Sequence, residues 1–253
     1  MKIHCASALV VAAILASPAH AIVGGGSAAP AGIARSVVTV VGSRGNFCTG
    51  ALIAPDVVLT AGHCVTPGAS YKIVDYGDKP AKLLDVRAVA VHPSFSLPTL
   101  LGHRATADVA LLQLTAKGPS GASPAATGIP QIPIEVGGRF TVAGMGVSIR
   151  GDGRSGGVTR AAGLVATGKP GTLQIRLVDA TTQGARDGLG ACTGDSGAPV
   201  FEDQQGKAVI VGVVSWSTGP NNAAGCGGLT GVTPLTLYRD WILQTARAWG
   251  ARL

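Results

Sequence analysis

Short β-branched and apolar runs alternate with turn-forming clusters along almost the whole chain. Such runs, bounded by Gly, Pro, Asn or Ser, are typical of β-strands. They fall into two sets, separated by a stretch at 116–133 that is rich in Pro, Gly, Ser and Ala and poor in charge. The first set is Ser36–Val41, Ala51–Ile53, Val57–Thr60, Leu83–Val91 and Val109–Leu114; the second is Gly138–Ala143, Gly163–Ala166, Leu173–Leu177, Pro199–Phe201, Ala208–Trp216 and Thr230–Val232.

A helical pattern is convincing only at the end of the chain. Within Thr236–Arg252, the apolar residues Leu237, Ile242, Leu243 and Trp249 recur at roughly helical spacing. The pattern therefore predicts an all-β protein of two lobes, joined by a linker and closed by a C-terminal helix.

The first 21 residues have the layout of a secretory signal peptide. Lys2 precedes the apolar run Cys5–Ala16, and the small-x-small sequence Ala19-His20-Ala21 provides a cleavage site directly before Ile22. The apolar run is too short to span a bilayer. We therefore expect a secreted or periplasmic protein without a membrane span, whose mature chain begins at Ile22.

Composition and charge narrow the function classes. Of the 253 residues, 46% are hydrophobic and 13% are charged, so the chain can bury a large core, which excludes disorder as its main state. The formal net charge of +7 comes from basic residues that are scattered singly. Because no basic run or stripe is present, nucleic acid is not expected as a partner.

Cysteine usage fits an oxidising compartment. One of the five cysteines lies in the leader, and the remaining four can pair in three ways. The short separations favour the local pairs Cys48–Cys64 and Cys192–Cys226. A zinc site is the alternative, but the chain has no Cys-x-x-Cys and only His63 lies beside a cysteine.

Three short segments contain residue types that hydrolytic enzymes use. They are Leu59–Cys64 with His63 after an apolar strand, Ala107–Leu112 with Asp108 at the start of a buried strand, and Cys192–Pro199 with Ser196 in a glycine-flanked turn. A serine nucleophile needs a base for its proton, a carboxylate to orient that base, and backbone N–H groups for the oxyanion. Each segment alone also fits a turn, a cap or a packing role. Their joint occurrence favours catalysis.

These segments resemble the motifs of the chymotrypsin/trypsin-like family of serine peptidases over the whole mature chain. The matching motifs are Ile22-Val23-Gly24-Gly25, Thr60-Ala61-Gly62-His63-Cys64, Val91-His92-Pro93-Ser94-Phe95, Asp108-Val109-Ala110-Leu111-Leu112, Gly194-Asp195-Ser196-Gly197-Ala198-Pro199, Val214-Ser215-Trp216, Gly231-Val232 and Asp240-Trp241-Ile242. The order His, Asp, Ser and both cysteine pairs also fit the family. The alanine-rich leader and the small number of expected disulfides, two, favour a secreted bacterial member.

The resemblance implies two six-stranded antiparallel β-barrels with the active site between them. After the signal peptide, 1–21, the N-terminal barrel would span 22–120 and the C-terminal barrel with its helix 121–253. In this family His63 would be the general base, Asp108 its orienting partner and Ser196 the nucleophile.

The resemblance also implies an oxyanion hole and an activation pair. The N–H groups of Gly194 and Ser196 would bind the oxyanion, and the ammonium of a mature Ile22 would pair with Asp195. A propeptide has no room between the cleavage site and Ile22, so we expect signal peptidase itself to produce the active N-terminus.

A substrate pocket is implied by the same resemblance. Its floor would be Gly190, followed by Ala191, and its walls would include Ser215, Trp216, Ser217 and Gly231. Since a floor without a carboxylate cannot compensate the desolvation of a buried Lys or Arg, we expect uncharged, apolar residues before the scissile bond.

Some positions depart from the family pattern. Gly144-Met145-Gly146 stands where Gly-Trp-Gly is usual, which we interpret as a packing change, and Ala198 and Ser217 stand at usual glycine positions. The stretch Gly68–Asp85 lacks the glutamates of a calcium loop. We therefore expect neither a metal nor another cofactor.

The sequence thus predicts a secreted serine endopeptidase, a monomer that acts on proteins or peptides through an acyl-enzyme and can be bound by protein inhibitors. The alternative is a catalytically silent binding or adhesion protein on the same scaffold, although such relatives usually lose a triad residue. An esterase of the α/β class is disfavoured, because it requires the order Ser, acid, His and a Gly-x-Ser-x-Gly motif.

Overall fold

The computed structural model describes residues 22–253 except 78, 103, 132–133 and 169–172. The predicted signal peptide lies outside the described residues. Within them, no helix has both the length and the apolar character that crossing a membrane requires.

The described chain is built mainly from β-strands. Their bounds are β1 Ser27–Ala28, β2 Val37–Gly42, β3 Phe47–Ala54, β4 Val57–Thr60, β5 Tyr71–Asp75, β6 Lys82–Val91, β7 Ala110–Leu114, β8 Val136–Gly144, β9 Arg160–Thr167, β10 Ile175–Val178, β11 Pro199–Gln204, β12 Lys207–Ser217 and β13 Thr230–Pro234. The helices are α1 Ala31–Ala34, α2 Leu97–Leu101 and α3 Arg239–Ala248, with 3₁₀ turns at Gly62–Cys64, Gly153–Ser155, Pro220–Asn222 and Leu235–Leu237.

The strands close into two antiparallel barrels of six strands each. The first barrel has the order β2-β3-β4-β7-β6-β5. The second has the order β8-β9-β10-β13-β12-β11, and β11 pairs back to β8, while the short β1 adds to the edge of β9. The predicted two-barrel, all-β fold with a C-terminal helix is therefore confirmed.

Local differences from the predicted elements have simple causes. The strand Tyr71–Asp75 was not predicted, although Tyr71 and Ile73 face the core of the first barrel while Lys72 faces outward. The predicted terminal helix is shorter than expected, because the chain turns at Gly250 with φ of 80°.

Alternate residues of β3 and β4 face two different cores. Leu52 and Val58 lie in the interior of the first barrel, whereas Ala51 and Leu59 belong to a second core between the barrels. Opposite faces of one strand serve both cores because successive side chains point to opposite sides of a sheet. Ile242 of α3 joins the inter-barrel core, so the terminal helix helps to hold the two barrels together.

Candidate active site

A histidine and a buried aspartate are joined at the end of β4. His63 lies in the 3₁₀ turn Gly62–Cys64, and its Nδ1 is 2.8 Å from Asp108 Oδ2. The backbone N–H of His63 also donates to Asp108 Oδ1 at 2.9 Å. Since the carboxylate favours a proton on Nδ1, Nε2 is left to act as a base.

Asp108 receives a further hydrogen bond from the second barrel. Its side chain is fully buried, and Ser215 of β12 donates its hydroxyl to Asp108 Oδ2 at 2.5 Å. Ser215 was predicted as part of the substrate-binding strand, and here its hydroxyl helps to hold the carboxylate. Asp108 is thus fixed by donors from both barrels, as a group that orients the histidine must be.

Ser196 lies in a tight turn that both barrels hold. Its carbonyl accepts from the N–H of Thr49 in β3 at 2.8 Å, and the next N–H, of Gly197, donates to Val214 of β12 at 2.7 Å. Gly197 has φ of 77°, and a β-carbon there would meet Thr60 Oγ1 at 2.1 Å, so only glycine fits. Within the described chain the side chains of Ser196 and His63 are not hydrogen-bonded. That bond is often long in a free enzyme and tightens when substrate binds.

Two backbone N–H groups beside Ser196 are directed away from the protein's own acceptors. The carbonyl of Thr193 accepts from Val147 at 2.8 Å, and the carbonyl of Asp195 accepts from Ala198 at 2.9 Å. In a trans peptide the N–H points opposite to the C=O. The N–H groups of Gly194 and Ser196 therefore project to the other side, and neither donates to an acceptor in the described part of the chain. This is the arrangement that an oxyanion needs.

The carboxyl group of Asp195 is fully buried behind this loop. It accepts from the N–H of Gly146 at Oδ1 and from the N–H of Cys192 at Oδ2, both at 2.9 Å. Burial raises the pKa of Asp195 to about 7, and the two hydrogen bonds lower it only in part. A partner cation would reverse that shift.

The two glycines around Met145 are explained by Asp195. A β-carbon on Gly144 would lie 2.0 Å from Asp195 Oδ1, and one on Gly146 would lie 2.7 Å from it. The glycines of this segment therefore allow the backbone to approach the buried carboxyl group, and the departure from the family pattern is confined to Met145.

The beginning of the described chain packs into the second barrel. Ile22 is fully buried in the core of the second barrel, together with Ala191 and Ala198. Val23 forms a β-bridge with Gly190. Ile22 has φ of 59°, which is rare for a β-branched residue. Ile22 therefore belongs to the second barrel rather than to the first, and its pairing with Asp195 stays a prediction.

The predicted pocket residues lie on neighbouring segments. Trp216 and Ser217 of β12 pair with Gly231 and Thr230 of β13. The indole of Trp216 covers Gly231, where a β-carbon would lie 2.2 Å from the ring. Gly190 is also close to Thr230, because a β-carbon added to Gly190 would lie 3.4 Å from the hydroxyl oxygen of Thr230.

Two residues of this neighbourhood were not predicted. Thr230 is fully buried, and its hydroxyl accepts from the N–H of Ala191 at 3.0 Å. The guanidinium of Arg176 lies 5.6 Å from the centre of the Trp216 ring. Neither contact has a local sequence signal, because each depends on how β10, β13 and the loop that contains Ser196, Ala191–Ala198 (the serine loop), meet.

The cysteines pair as predicted. Cys48 is bonded to Cys64, next to His63, and Cys192 is bonded to Cys226. The first pair leaves no thiolate at the group formed by Cys48, His63 and Cys64, so this group lacks the ligands of the alternative zinc site. The second pair ties the serine loop to the segment before β13.

Comparison with known proteins identifies the family. A family model described as Trypsin matches residues 22–242. The chain is 30% identical to trypsin 5G1 of Aedes aegypti, over 79% of this chain and 76% of that protein. It is 30% identical to human serine protease 56, over 92% of this chain and 40% of that protein, so it spans about two fifths of that relative's length.

Two further matches are a relative that is named inactive and a solved structure. The chain is 30% identical to an inactive CLIP domain-containing serine protease A3 of Aedes aegypti, over 78% of this chain and 45% of that protein. A structure of a mutant human heparin binding protein (CAP37) matches with a TM-score of 0.65 and 24% identity, covering 87% of this chain and 94% of that one, which shows the fold alone. These relatives are animal proteins and give no support to the bacterial source that we inferred from the leader.

Proposed function

Since the chain belongs to the trypsin family of serine proteases, we propose that it is a secreted serine endopeptidase that cleaves peptide bonds through an acyl-enzyme on Ser196. The observation that carries this proposal is the arrangement around Ser196. His63 is oriented by the carboxylate of Asp108, and the serine loop directs two N–H groups away from the protein's own acceptors.

The proposed reaction uses each of these groups in turn. As Ser196 Oγ attacks the scissile carbonyl carbon, its proton passes to His63 Nε2, and the resulting oxyanion accepts from the N–H groups of Gly194 and Ser196. The intermediate collapses when His63 gives that proton to the leaving amine, which leaves an ester on Ser196. Water then attacks the ester as His63 takes its proton, and His63 returns that proton to Ser196 Oγ when the acid product leaves. The carboxylate of Asp108 stabilises the imidazolium.

Labelling with a fluorophosphonate probe tests the proposal. We expect the mature protein to be labelled and to hydrolyse peptide esters and a denatured protein substrate, whereas Ser196→Ala does neither. Both proteins should show the same thermal unfolding midpoint, because the removal of one oxygen at a half-buried position does not alter the core. Equal hydrolysis by wild-type protein and Ser196→Ala would reject the proposal.

The second candidate is a catalytically silent binding protein. The similarity to a relative named inactive is the observation that favours it. The same labelling experiment separates the candidates, since a silent protein with a collapsed oxyanion loop reacts poorly with the probe even when its serine is present.

We further propose a preference for uncharged residues before the scissile bond. The floor position Gly190 carries no side chain, and its described neighbours Gly227 and Thr230 bring no charge to it. Peptide amides that differ only in an Ala, Leu, Phe, Lys or Arg before the bond provide the assay. Faster cleavage after Lys or Arg than after Leu, Phe or Ala would overturn this preference.

Export is the last part of the proposal. Two disulfides in the described chain are consistent with an oxidising compartment. Fractionation of producing cells, followed by detection of the protein without its first 21 residues, is the direct measurement.

A further inference from the structure

Thr49 of the first barrel makes four hydrogen bonds around the serine loop of the second barrel. Its side chain is fully buried. Its N–H donates to Ser196 O at 2.8 Å, and its hydroxyl donates to Gly194 O at 2.7 Å. The same hydroxyl accepts from the N–H of Met145 at 3.1 Å, and the Thr49 carbonyl accepts from Thr60 Oγ1 at 2.8 Å.

The peptide whose carbonyl the Thr49 hydroxyl holds lies between the two peptides that supply the candidate oxyanion hole. Gly194 O belongs to the Gly194–Asp195 peptide. The peptides on either side of it supply the N–H groups of Gly194 and Ser196. The two outer peptides are fixed through their own carbonyls, by Val147 and by Ala198. The central peptide is fixed at its oxygen by Thr49 and at its nitrogen by a bond to Cys192.

We propose that Thr49 is a positioning residue for the oxyanion hole, whose hydroxyl holds the Gly194–Asp195 peptide in the orientation that directs both flanking N–H groups at the substrate. This inference rests on the proposed peptidase function. Two hydrogen bonds fix the orientation of this hydroxyl: it accepts from the N–H of Met145 and donates to the carbonyl of Gly194. It can therefore hold the Gly194–Asp195 peptide in one orientation. Without it, the buried Gly194 carbonyl lacks that partner, and rotation of the central peptide becomes the way to find another.

The neighbouring strand provides a matched control. Thr39 of β2 lies directly opposite Thr49 in the strand register and is equally buried. Its hydroxyl contacts Met145 Sδ at 3.3 Å instead of the serine loop. Thr39→Val therefore removes a buried hydroxyl from the same core without touching the oxyanion hole.

The test is a comparison of Thr49→Val, Thr49→Ser and Thr39→Val with wild-type protein. For Thr49→Val we expect kcat to fall about 10-fold to 100-fold, somewhat less than the loss of a whole oxyanion donor, with KM changed by no more than about twofold. The affinity for a peptide aldehyde should fall in parallel, because its hemiacetal oxygen occupies the oxyanion position. Thr49→Ser keeps the hydroxyl and should restore most of kcat, while Thr39→Val should stay near wild type.

Stability is measured alongside, so that folding and positioning are told apart. If Thr49→Val does not fold, Thr49→Ala removes the same hydroxyl without placing a methyl against the carbonyl, and it takes its place. Wild-type kcat and aldehyde affinity in the folded hydroxyl-free variant would overturn the inference, as would an equal loss in Thr49→Ser and Thr39→Val. A wild-type protein without any hydrolysis would reject the proposed function itself, and this inference with it.

Discussion

The first prediction concerns one residue added before Ile22, which would perturb the buried carboxyl group of Asp195. In the family, the ammonium of the mature N-terminus pairs with the aspartate before the nucleophile. The described chain buries both Ile22 and Asp195 completely. An added alanine converts the ammonium of Ile22 into an amide, so it removes the charge and leaves the isoleucine side chain unchanged. We expect the extended protein to hydrolyse its substrates poorly.

The expected loss of activity can be calculated from the pKa of Asp195. Without a cation, burial raises the pKa of Asp195 from 3.8 to about 7. Since each tenfold change in an acid constant corresponds to about 1.4 kcal/mol, keeping this carboxyl group ionised costs about 4 kcal/mol. That agrees with the about 3–5 kcal/mol by which breaking a buried pair destabilises a protein. If the whole cost disfavours the ordered serine loop, kcat/KM falls up to about 10³-fold.

The pH dependence has a definite sign. In the extended protein, folding raises the pKa of Asp195, so the folded state binds the proton more tightly than the unfolded state does. The stabilisation is therefore present below pH 4 and is lost as the pH rises to about 7. In the mature protein an ammonium favours the carboxylate. The difference in unfolding free energy between the two forms should grow in favour of the mature form from pH 4 to pH 7.

Three proteins suffice for the assay. Mature protein, the form with one alanine before Ile22, and mature Ile22→Val are compared by active-site titration with a p-nitrophenyl ester, by kcat/KM on a peptide amide, and by thermal unfolding at pH 4 and pH 8. Ile22→Val keeps the ammonium and most of the buried side chain, and it should stay close to wild type. N-terminal sequencing of the exported protein completes the test, with Ile22 as the expected first residue.

Two results would refute the reasoning. The first is an alanine-extended protein with the titre, kcat/KM and pH profile of the mature one. The second is a fully active exported protein that begins at another residue, since its ammonium could not occupy the same buried position.

Three further predictions concern substitutions in the candidate active site and its surroundings. Asp108→Asn should lower kcat by about 10⁴ with little change in KM, because the histidine then takes the wrong tautomer; an intact rate would exclude the orienting role. Gly144→Ala places a β-carbon 2.0 Å from a buried carboxyl oxygen and should abolish the active-site titre, whereas Gly163→Ala on the paired strand meets nothing within 4 Å and should be tolerated. The double variant Ser196→Ala with His63→Ala should be little worse than either single one, with losses on the order of 10⁴–10⁶ in kcat; additive losses would argue against a shared mechanism.

Functional residues that are positioned by residues next to them in the sequence could be predicted from the sequence. His63 follows an apolar strand directly, and Ser196 lies between glycines that make its turn possible. The cysteine spacing was equally informative, because short separations favour local pairs. The strand before His63 and the glycines around Ser196 lie within a few residues of the side chains that they position. The cysteines are recognised by their separation along the chain.

Contacts between distant segments left no such signal. Thr49 reaches Gly194 across 145 positions of sequence, and in isolation it is an ordinary strand threonine. The reason for Gly144 and Gly146 could not be read from the sequence, because the carboxyl group that excludes a β-carbon there comes from Asp195 on another segment. Tyr71–Asp75 was missed because five residues with one alternation are too few to distinguish a strand from a loop without its partners.

Two features of the serine loop that lower stability favour a catalytic protein over a catalytically silent binding protein. Asp195 is a fully buried carboxyl group, and replacing a buried charge with well-packed apolar residues is often neutral or stabilising. Gly194 holds φ of 91°, and a β-carbon there would meet the Phe47 ring at 2.7 Å. A scaffold that only binds a partner gains nothing from either feature. A peptidase needs both, because together they fix two N–H groups where negative charge develops.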